Sequence, residues 1–178
     1  IIFLFNLTIV SSFAEIVNTI DIKGNERISS ETIIVFGDIT QGKDYNAKEI
    51  NLLIKKLYDT SFFSNIAVNL KNGVLNIIVE ENPMINSIVF NGEKADKYKE
   101  AIIELLTLRE KTSFLKSNVK SDINLINEFY RQLGFYFVSI DLDVEKLTKN
   151  RVNLIYNIDK GEKAKIAKIF FLGDKKIR

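Results

Sequence analysis

Three stretches of the chain begin in the same way: Ile16-Val-Asn-Thr-Ile-Asp-Ile-Lys-Gly24, Met84-Ile-Asn-Ser-Ile-Val-Phe-Asn-Gly92 and Lys165-Ile-Ala-Lys-Ile-Phe-Phe-Leu-Gly173. Each is a mainly apolar run that ends at a glycine, which is typical of a strand followed by a turn. The first two are followed by amphipathic helical stretches and a hairpin. This repetition indicates an array of small modules, which usually offers extended surfaces to partners, rather than one enzyme core.

Length and composition limit the classes of function. The 178 residues and the repeat spacing favour two modules of roughly 70 to 80 residues each, a size that is just sufficient for independent folding. The 25 basic and 23 acidic residues leave a net charge of +2, which gives no electrostatic footprint for nucleic acid. The chain has no His and no Cys, which excludes disulfides, histidine bases, cysteine nucleophiles and the common zinc sites. No cofactor is predicted.

Residues 1–14 have the pattern of an export signal. The run begins almost wholly apolar, and the small side chains of Ser12 and Ala14 flank Phe13 as a signal-peptidase site requires. We therefore predict a signal peptide, truncated at its start, with cleavage before Glu15. The alternatives are a membrane anchor or a buried strand, although the apolar run is too short to span a bilayer of about 30 Å.

Residues 15–82 are predicted to form a first module with the element order β-α-α-β-β. Ile16, Ile20 and Ile22 fall on one face of its opening strand. The other signals are a helix cap at Ser29 or Ser30, a capping box at Asn46 and Glu49, an apolar helical stripe over Ile50, Leu53, Ile54, Leu57 and Tyr58, and an Asn72-Gly73 turn between two alternating strands.

Residues 83–161 repeat this plan as a second module, and residues 162–178 are predicted to be the first strand of a third. The signals of the second module are a helix over residues 95–106, a helix cap at Ser117, a helix end at Gly134, and alternating strands from Val138 to Val144 and from Val152 to Ile158. Asn82 and Pro83 are predicted to form the joint between modules, because proline cannot donate to a sheet and stiffens the chain.

The two predicted modules also align around an aromatic residue on the second helix of each. Leu57-Tyr58-Asp-Thr-Ser-Phe-Phe63 aligns with Phe129-Tyr130-Arg-Gln-Leu-Gly-Phe135. Large aromatic side chains at helical spacing usually pack inward. Tyr58 and Tyr130 are therefore predicted to fill the cores of their modules rather than to form a ligand site.

A set of motifs recurs in a fixed order across residues 15–178. They are Leu57-Tyr58-x-Thr60-x-x-Phe63, Val79-Glu80-Glu81-Asn82-Pro83-x-Ile85-x-Ser87-Ile88-x-Phe90-x-Gly92, Phe129-Tyr130-x-x-x-Gly134-x-Tyr136, Asn150-Arg151-Val152-Asn153-Leu154 and Gly161-Glu162-x-Ala164-x-Ile166. In this order and register they closely resemble the polypeptide-transport-associated (POTRA) modules of the outer-membrane barrel assembly factor family (BamA). Phe62-Phe63-Ser64 departs from the pattern, because it lacks the glycine that often precedes the second strand in that family.

The resemblance implies an α+β fold of tandem POTRA modules, each with a three-stranded mixed sheet covered on one face by two helices. It implies that this segment lies in the periplasm of a protein of the cell outer membrane, with membrane contact only through a downstream barrel that is absent from this chain. The implied partners are unfolded outer-membrane β-barrel proteins and the lipoproteins of the assembly complex. No nucleic acid is expected as a partner.

An open sheet leaves edge strands whose unpaired N–H and C=O groups can accept an extended segment of another chain, which is called β-augmentation. By the same resemblance the second strand of each module lies at an edge, so residues 65–71 and 136–145 are the candidate strands. The residues predicted to bind partners are Ile66, Ala67, Val68, Asn69, Leu70, Val138, Ser139, Ile140, Asp141 and Leu142. The alternative is that the charges between Asp141 and Lys146 protect the second of these edges from pairing.

Three hypotheses compete with an assembly scaffold. A two-partner secretion or autotransporter-translocation relative would have a similar architecture. An envelope scaffolding or division protein would carry one such module, whereas two contiguous repeats are present. An enzyme is disfavoured, because the adjacent Glu80 and Glu81 point to opposite faces of a strand. Asp141 and Asp143 share a face, but they have neither metal-like partners nor a glycine-rich phosphate cradle nearby.

Overall fold

The computed structural model describes residues 14–165, 168 and 170. The predicted signal peptide, apart from Ala14, and most of the predicted third repeat lie outside these residues. The chain divides into two compact units. Among the described residues, the first contains residues 14–84 together with Ser113–Leu115 and Lys146–Arg151, and the second contains the others.

The first module consists of two helices and a mixed three-stranded sheet, as predicted. Its elements are β1 (Glu15–Ile16), β2 (Thr19–Lys23), α1 (Ser30–Gly37), β3 (Asp44–Tyr45), α2 (Ala47–Asp59), β4 (Phe63–Lys71) and β5 (Val74–Glu81). β5 is the central strand, parallel to β2 and antiparallel to β4. β1 and β3 form a separate antiparallel pair.

Local signals determine where both helices of this module begin. The Ser29 side chain accepts a hydrogen bond from the Thr32 N–H at the start of α1. At α2 the Asn46 side chain accepts from the Glu49 N–H, and the Glu49 carboxylate accepts from the Asn46 N–H at 2.9 Å. The predicted capping box is therefore confirmed, and it satisfies donors that the first helical turn leaves without partners.

The core of the first module lies between the two helices and one face of the sheet. Side chains from each layer are fully or almost fully buried, among them Ile33 of α1, Leu53 and Leu57 of α2, and Leu75 and Ile77 of β5. These residues follow the helical and alternating spacings that were read from the sequence. Burial of each such side chain contributes about 1.5–3 kcal/mol.

The opening strand of the first module is broken, contrary to the prediction that Ile16 lies on the same face as Ile20 and Ile22. Ile16 is 50% exposed, whereas its neighbour Val17 is fully buried. The Val17 N–H donates to the Lys43 carbonyl at 3.1 Å, and the chain then leaves β1 before β2 begins. The pairing of β1 with β3 therefore determines this face, which no local pattern in the strand reveals.

The second module repeats the layered arrangement. Its elements are β6 (Met84–Asn91), α3 (Asp96–Leu105), α4 (Val119–Gln132), β7 (Ser139–Leu147) and β8 (Arg151–Asp159), with a 3₁₀ turn at Lys116–Asn118. β8 is the central strand, between β6 and β7. Its core includes Ile85, Ile102, Ile126, Tyr130, Leu154 and Tyr156. Gly134 ends α4 with a φ of 90°, as predicted for a helix C-terminus.

Two details of the second module differ from prediction. Ser117 does not cap α4. It lies in the 3₁₀ turn, Asn118 occupies the cap position without a capping hydrogen bond from its side chain, and the Asp122 carboxylate turns inward. β7 begins at Ser139, later than the predicted residue 136, because Tyr136 and Phe137 lie exposed before it. Residues 136–138, which were predicted to belong to the strand, therefore lie in the loop after α4.

Candidate partner-binding strand edges

Each three-stranded sheet has two edge strands in the described part of the chain: β2 and β4 in the first module, and β6 and β7 in the second. The two predicted binding strands are thus edge strands. An edge strand accepts another chain only if its outward N–H and C=O groups are free and its charges permit approach. The four edges differ in both respects.

The edge of β6 is covered by the loop that follows α3. The Ile85 N–H donates to the Thr112 carbonyl at 2.8 Å, and the Ile85 carbonyl accepts from the Lys111 N–H at 2.8 Å. Further along the strand, the Glu110 carboxylate accepts from the Ile88 N–H at 3.0 Å. The backbone groups that an added strand would need are therefore already in use over the first half of β6.

The edge of β2 is short and carries charge. The strand has five residues, and the Lys23 ammonium lies 2.8 Å from the Asp21 carboxylate. Short edge strands with charged side chains resist pairing with other chains. β2 is therefore a poor site for an extended partner.

The hairpin between β4 and β5 determines which backbone groups of β4 point outward. Asn72 and Gly73 both have positive φ, of 55° and 75°, as in a two-residue type I′ turn. Such a turn is closed by a hydrogen-bonded pair, here Lys71 and Val74. Pairing then alternates along β4, and the N–H and C=O groups of every second residue point away from β5.

Of the five predicted residues on β4, three therefore present backbone groups at the open edge: Ile66, Val68 and Leu70. The N–H and C=O groups of Ala67 and Asn69 bond to β5, and their side chains lie exposed on the face of the sheet away from the core. Lys71 is the one charged residue of β4. This edge combines outward backbone groups with small, neutral side chains.

The edge of β7 is acidic. Asp141, Asp143 and Glu145 are exposed along it, and Lys146 follows. Two of these carboxylates accept hydrogen bonds from the neighbouring strand β8, Asp143 from the Asn157 amide and Glu145 from the Asn153 amide, both at 2.7 Å.

The five predicted residues on the second candidate strand lie at the start of β7 or just before it. Val138 precedes the strand, whereas Ser139, Ile140, Asp141 and Leu142 lie within it. Ile140 is buried and Leu142 is half-buried, so both face the core. Binding at this edge would therefore have to accommodate the row of carboxylates.

Tyr58 lies beside the open edge of β4, although it was predicted to fill the core. Its side chain is 41% exposed, and its hydroxyl accepts a hydrogen bond from the Ile66 N–H at 3.1 Å. The core prediction is wrong for Tyr58 and confirmed for Tyr130, which is fully buried. The spacing of the buried helix residues matches Leu57 with Tyr130, so the sequence alignment was shifted by one residue.

A buried carboxylate joins the opening turn of the first module to its last strand. Glu81 Oε1 accepts hydrogen bonds from the N–H groups of Glu26, Arg27 and Ile28 at 2.8–2.9 Å. Arg27 Nε lies 3.2 Å from Glu81 Oε2. A carboxylate that is 5% exposed thus has partners that compensate for its removal from water.

The residue after Glu81 is also held tightly within the first unit. The Asn82 N–H donates to the Phe62 carbonyl at 2.7 Å, and its side-chain amide donates to the Ser61 carbonyl at 3.0 Å. The Asn82 carbonyl accepts from Arg27 Nη2 at 2.9 Å. The assignment of Asn82 and Pro83 as a module joint stays a prediction.

The second module contains a comparable buried carboxylate, Glu93. It accepts from the Ala95 N–H at 2.8 Å and from the Tyr130 hydroxyl at 2.7 Å, and the Lys160 ammonium lies 3.3 Å away. Burial opposes ionisation of Glu93, but these hydrogen bonds and the Lys160 charge outweigh it, so its pKa lies below its ordinary value. Burial, followed by the hydrogen bond to Glu93, raises the pKa of Tyr130.

A third buried carboxylate, Asp122, fixes the start of the loop after α3. It accepts from the N–H and hydroxyl of Thr107 at 2.9 and 2.7 Å and from the Leu108 N–H at 3.0 Å. These carboxylates stabilise turns. In the described ranges, residues 14–165 with 168 and 170, no group of three or more acidic side chains could hold a metal ion. None of the helices described there has the length and apolar character needed to span a bilayer.

Comparison with known proteins gives a family match. Residues 83–161 match the POTRA family model, described as a surface antigen variable number repeat. Over 161 residues the chain is 30% identical to an outer membrane protein assembly factor BamA from Neisseria meningitidis serogroup B. Over 162 residues it is 25% identical to a BamA from Neorickettsia risticii. These alignments cover 89% and 91% of this chain but only 20% and 22% of the relatives.

The fold also matches a solved structure, the N-terminal domain of Omp85 from the cyanobacterium Thermosynechococcus elongatus. The TM-score is 0.54 at 11% sequence identity, with 85% of this chain and 65% of that chain covered. At this identity the match concerns the fold alone. Together, these comparisons identify residues 83–161 as a POTRA module and show that most of the chain is similar in sequence to the BamA outer membrane protein assembly factors.

Proposed function

We propose that this chain is a periplasmic part of an outer membrane protein assembly factor, and that it binds unfolded β-barrel precursors by strand addition at β4. The relatives named as assembly factors support the general role. The observation that carries the binding site is the open, nearly uncharged edge of β4, with outward backbone groups at Val68 and Leu70.

Strand addition suits a protein that handles many precursors. The bonds run between main chains, so they depend little on the side-chain sequence of the incoming segment. Small side chains at Ala67 and Asn69 leave room beside the edge. Precursors of β-barrels contain alternating strands that are still unpaired before insertion, and such strands can pair with an exposed edge.

β7 is the second proposed binding strand. Its residues Ser139–Leu142 lie at the edge of the second sheet, but the carboxylates that follow would repel an acidic segment. We therefore expect β4 to bind a wider range of segments than β7 does. Neither strand is proposed to act catalytically. Lipoproteins of an assembly complex are the other proposed partners.

The test is a matched pair of substitutions at Val68, measured in the full chain. Val68→Pro removes an outward N–H that β5 does not use, so an edge strand should tolerate it. Val68→Thr keeps the N–H and the branched shape. The probe is a soluble peptide of alternating valine and threonine with terminal lysines, and binding is followed through the amide signals of β4 by nuclear magnetic resonance.

We expect the wild type and Val68→Thr to bind the peptide with similar affinity. Val68→Pro should bind it at least about tenfold more weakly, because each lost main-chain bond is worth about 1 kcal/mol and proline also obstructs its neighbours. Unchanged amide signals from β5 would show that the sheet is intact. Peptide binding that is equal in all three proteins, or absent from the wild type, would contradict strand addition at β4.

A further inference from the structure

Tyr58 occupies the first backbone donor of the edge to which the proposed function assigns the partner. It lies near the end of α2, and its hydroxyl accepts the Ile66 N–H at 3.1 Å. This N–H points away from β5, as the pairing pattern of β4 requires. The hydroxyl therefore takes the position that the carbonyl oxygen of an added strand would otherwise take.

Tyr58 divides the edge of β4 into a part whose backbone donor is already hydrogen-bonded and a part whose outward groups are open. Outward backbone groups occur at Ile66, Val68 and Leu70, and the hydroxyl occupies the donor of the first. The strand is also irregular just before this point, because the register shifts between Phe63 and Asn65. A regular ladder with an incoming strand is thus available without rearrangement only from Val68 to the hairpin.

We propose that Tyr58 is a register-determining residue for strand addition at β4, an inference that rests on the proposed function. The Tyr58 hydroxyl limits the incoming main chain to the groups of Val68 and Leu70. A longer segment engages the Ile66 N–H only by displacing the hydroxyl of this partly exposed side chain. Partners therefore align from the hairpin end of β4.

The second module lacks this arrangement. The residue that follows its matched buried position, Tyr130, is Arg131, which pairs with Glu128 on the same helix at 3.1 Å. A strand added to β7 would thus meet no tyrosine hydroxyl from that position. A tyrosine hydroxyl at the candidate edge is thus a feature of the first module and not of the second.

The test compares the wild type with Tyr58→Phe, which keeps the ring and removes the hydroxyl. The probe is the alternating valine–threonine peptide, and the readout is residue-specific: the shift and exchange protection of the amides of Ile66, Val68 and Leu70 in the full chain. Tyr45→Phe is the matched control, because the Tyr45 hydroxyl also accepts a backbone N–H in this module, that of Thr40 at 3.0 Å.

In the wild type we expect peptide to protect the Val68 and Leu70 amides and to leave the Ile66 amide unchanged. In Tyr58→Phe the Ile66 amide should exchange faster without peptide and gain protection with it, and the peptide should bind about fivefold more tightly, which corresponds to one additional main-chain bond. Tyr45→Phe should bind like the wild type.

The outcomes separate this inference from the function on which it rests. If peptide binding to the wild type increases the protection of Ile66 as much as that of Val68, or if Tyr58→Phe changes neither the register nor the affinity, the register role is wrong and strand addition stands. If neither protein binds the peptide at β4, strand addition is wrong and the register role falls with it.

Discussion

Each module has an ion pair between its opening turn and the end of its last strand, but the acidic and basic residues have opposite positions in the two modules. In each module the opening glycine lies against the last strand so closely that a Cβ on Gly24 would overlap the Val79 carbonyl oxygen, and one on Gly92 would overlap that of Ile158. Two residues beyond these carbonyls lie Glu81 and Lys160, respectively. One is an anion and the other is a cation.

The residue on the opening turn that pairs with each of these has the opposite charge. Glu81 of the last strand pairs with Arg27 and with three N–H groups of the first turn, whereas Lys160 pairs with Glu93 of the second turn. Both modules thus have a polar connection at this place, with the acidic and basic partners on opposite sides. The first connection rests mainly on backbone donors, so we expect it to contribute more to stability than the second.

The largest effect should follow Glu81→Ala. It removes the acceptor of three backbone N–H groups and the anion that pairs with Arg27, and loss of one partner of a buried ion pair typically costs about 3–5 kcal/mol. Amide hydrogen exchange in the full chain should show this loss in the first module and little change in the second. Glu80→Ala, at the exposed neighbouring position, is the control and should stay within about 0.5 kcal/mol. Equal effects of the two would refute the connection.

Glu93→Gln should have an intermediate effect, confined to the second module. The amide keeps the shape and one oxygen acceptor. It loses the negative charge that strengthens the hydrogen bond from the Tyr130 hydroxyl and attracts Lys160. Hydrogen bonds to charged groups are worth about 1.5–3 kcal/mol, so we expect a loss in that range by the same exchange measurement. A loss as large as that of Glu81→Ala would show that the two connections are energetically equivalent.

Removal of the hydroxyl should have different effects on stability at Tyr130 and at Tyr58. Tyr130→Phe should destabilise the second module by about 1–2 kcal/mol, because its buried hydroxyl bonds the Glu93 carboxylate. Tyr58→Phe should change the stability of the first module by less than about 0.5 kcal/mol, since water can replace a partly exposed hydroxyl. Urea unfolding followed by amide signals of each module measures both. A large loss from Tyr58→Phe would mean that its hydroxyl supports the fold and not only the edge.

Acid should affect the second module through Glu93. Its pKa in the folded chain lies below the ordinary 4.5, so its contribution to stability is present above the unfolded pKa and is lost as pH falls through the folded pKa. Unfolding free energy of the second module, measured at pH values below neutrality, should fall in that acidic range. Glu93→Gln should flatten this part of the profile, and an unchanged profile would exclude Glu93 as its source.

Sequence reasoning worked where the cause is local. The capping box of Asn46 and Glu49 and the turn at Asn72-Gly73 depend on residues that are close in the chain, and both were predicted. Ser117 shows the limit: a serine before a helix is a good cap in isolation, but the chain enters α4 through a 3₁₀ turn. The fold class and the edge position of β4 came from the resemblance, because strand order is a property of the whole module.

The sequence predicted which strand forms the candidate site, but not which of its backbone groups are open or which side chain contacts them. Which backbone groups of β4 are open follows from the hairpin register, but the role of Tyr58 depends on contact between α2 and β4. A shift of one residue in the helix alignment was enough to assign it to the core. In the structure the core face of α2 is centred on Leu53 and Leu57, and Tyr58, one residue further along the helix, points to the side of this face.

The parallel pairing of β2 with β5 also orders the events of folding during synthesis. Thr19 pairs with Val74 and Lys23 with Ile78, so the opening strand has no partner in its sheet until the last strand of the module has been made. Contacts this distant in the chain form slowly, because the loop between them must close first. A ribosome would therefore release most of the first module before its sheet can form.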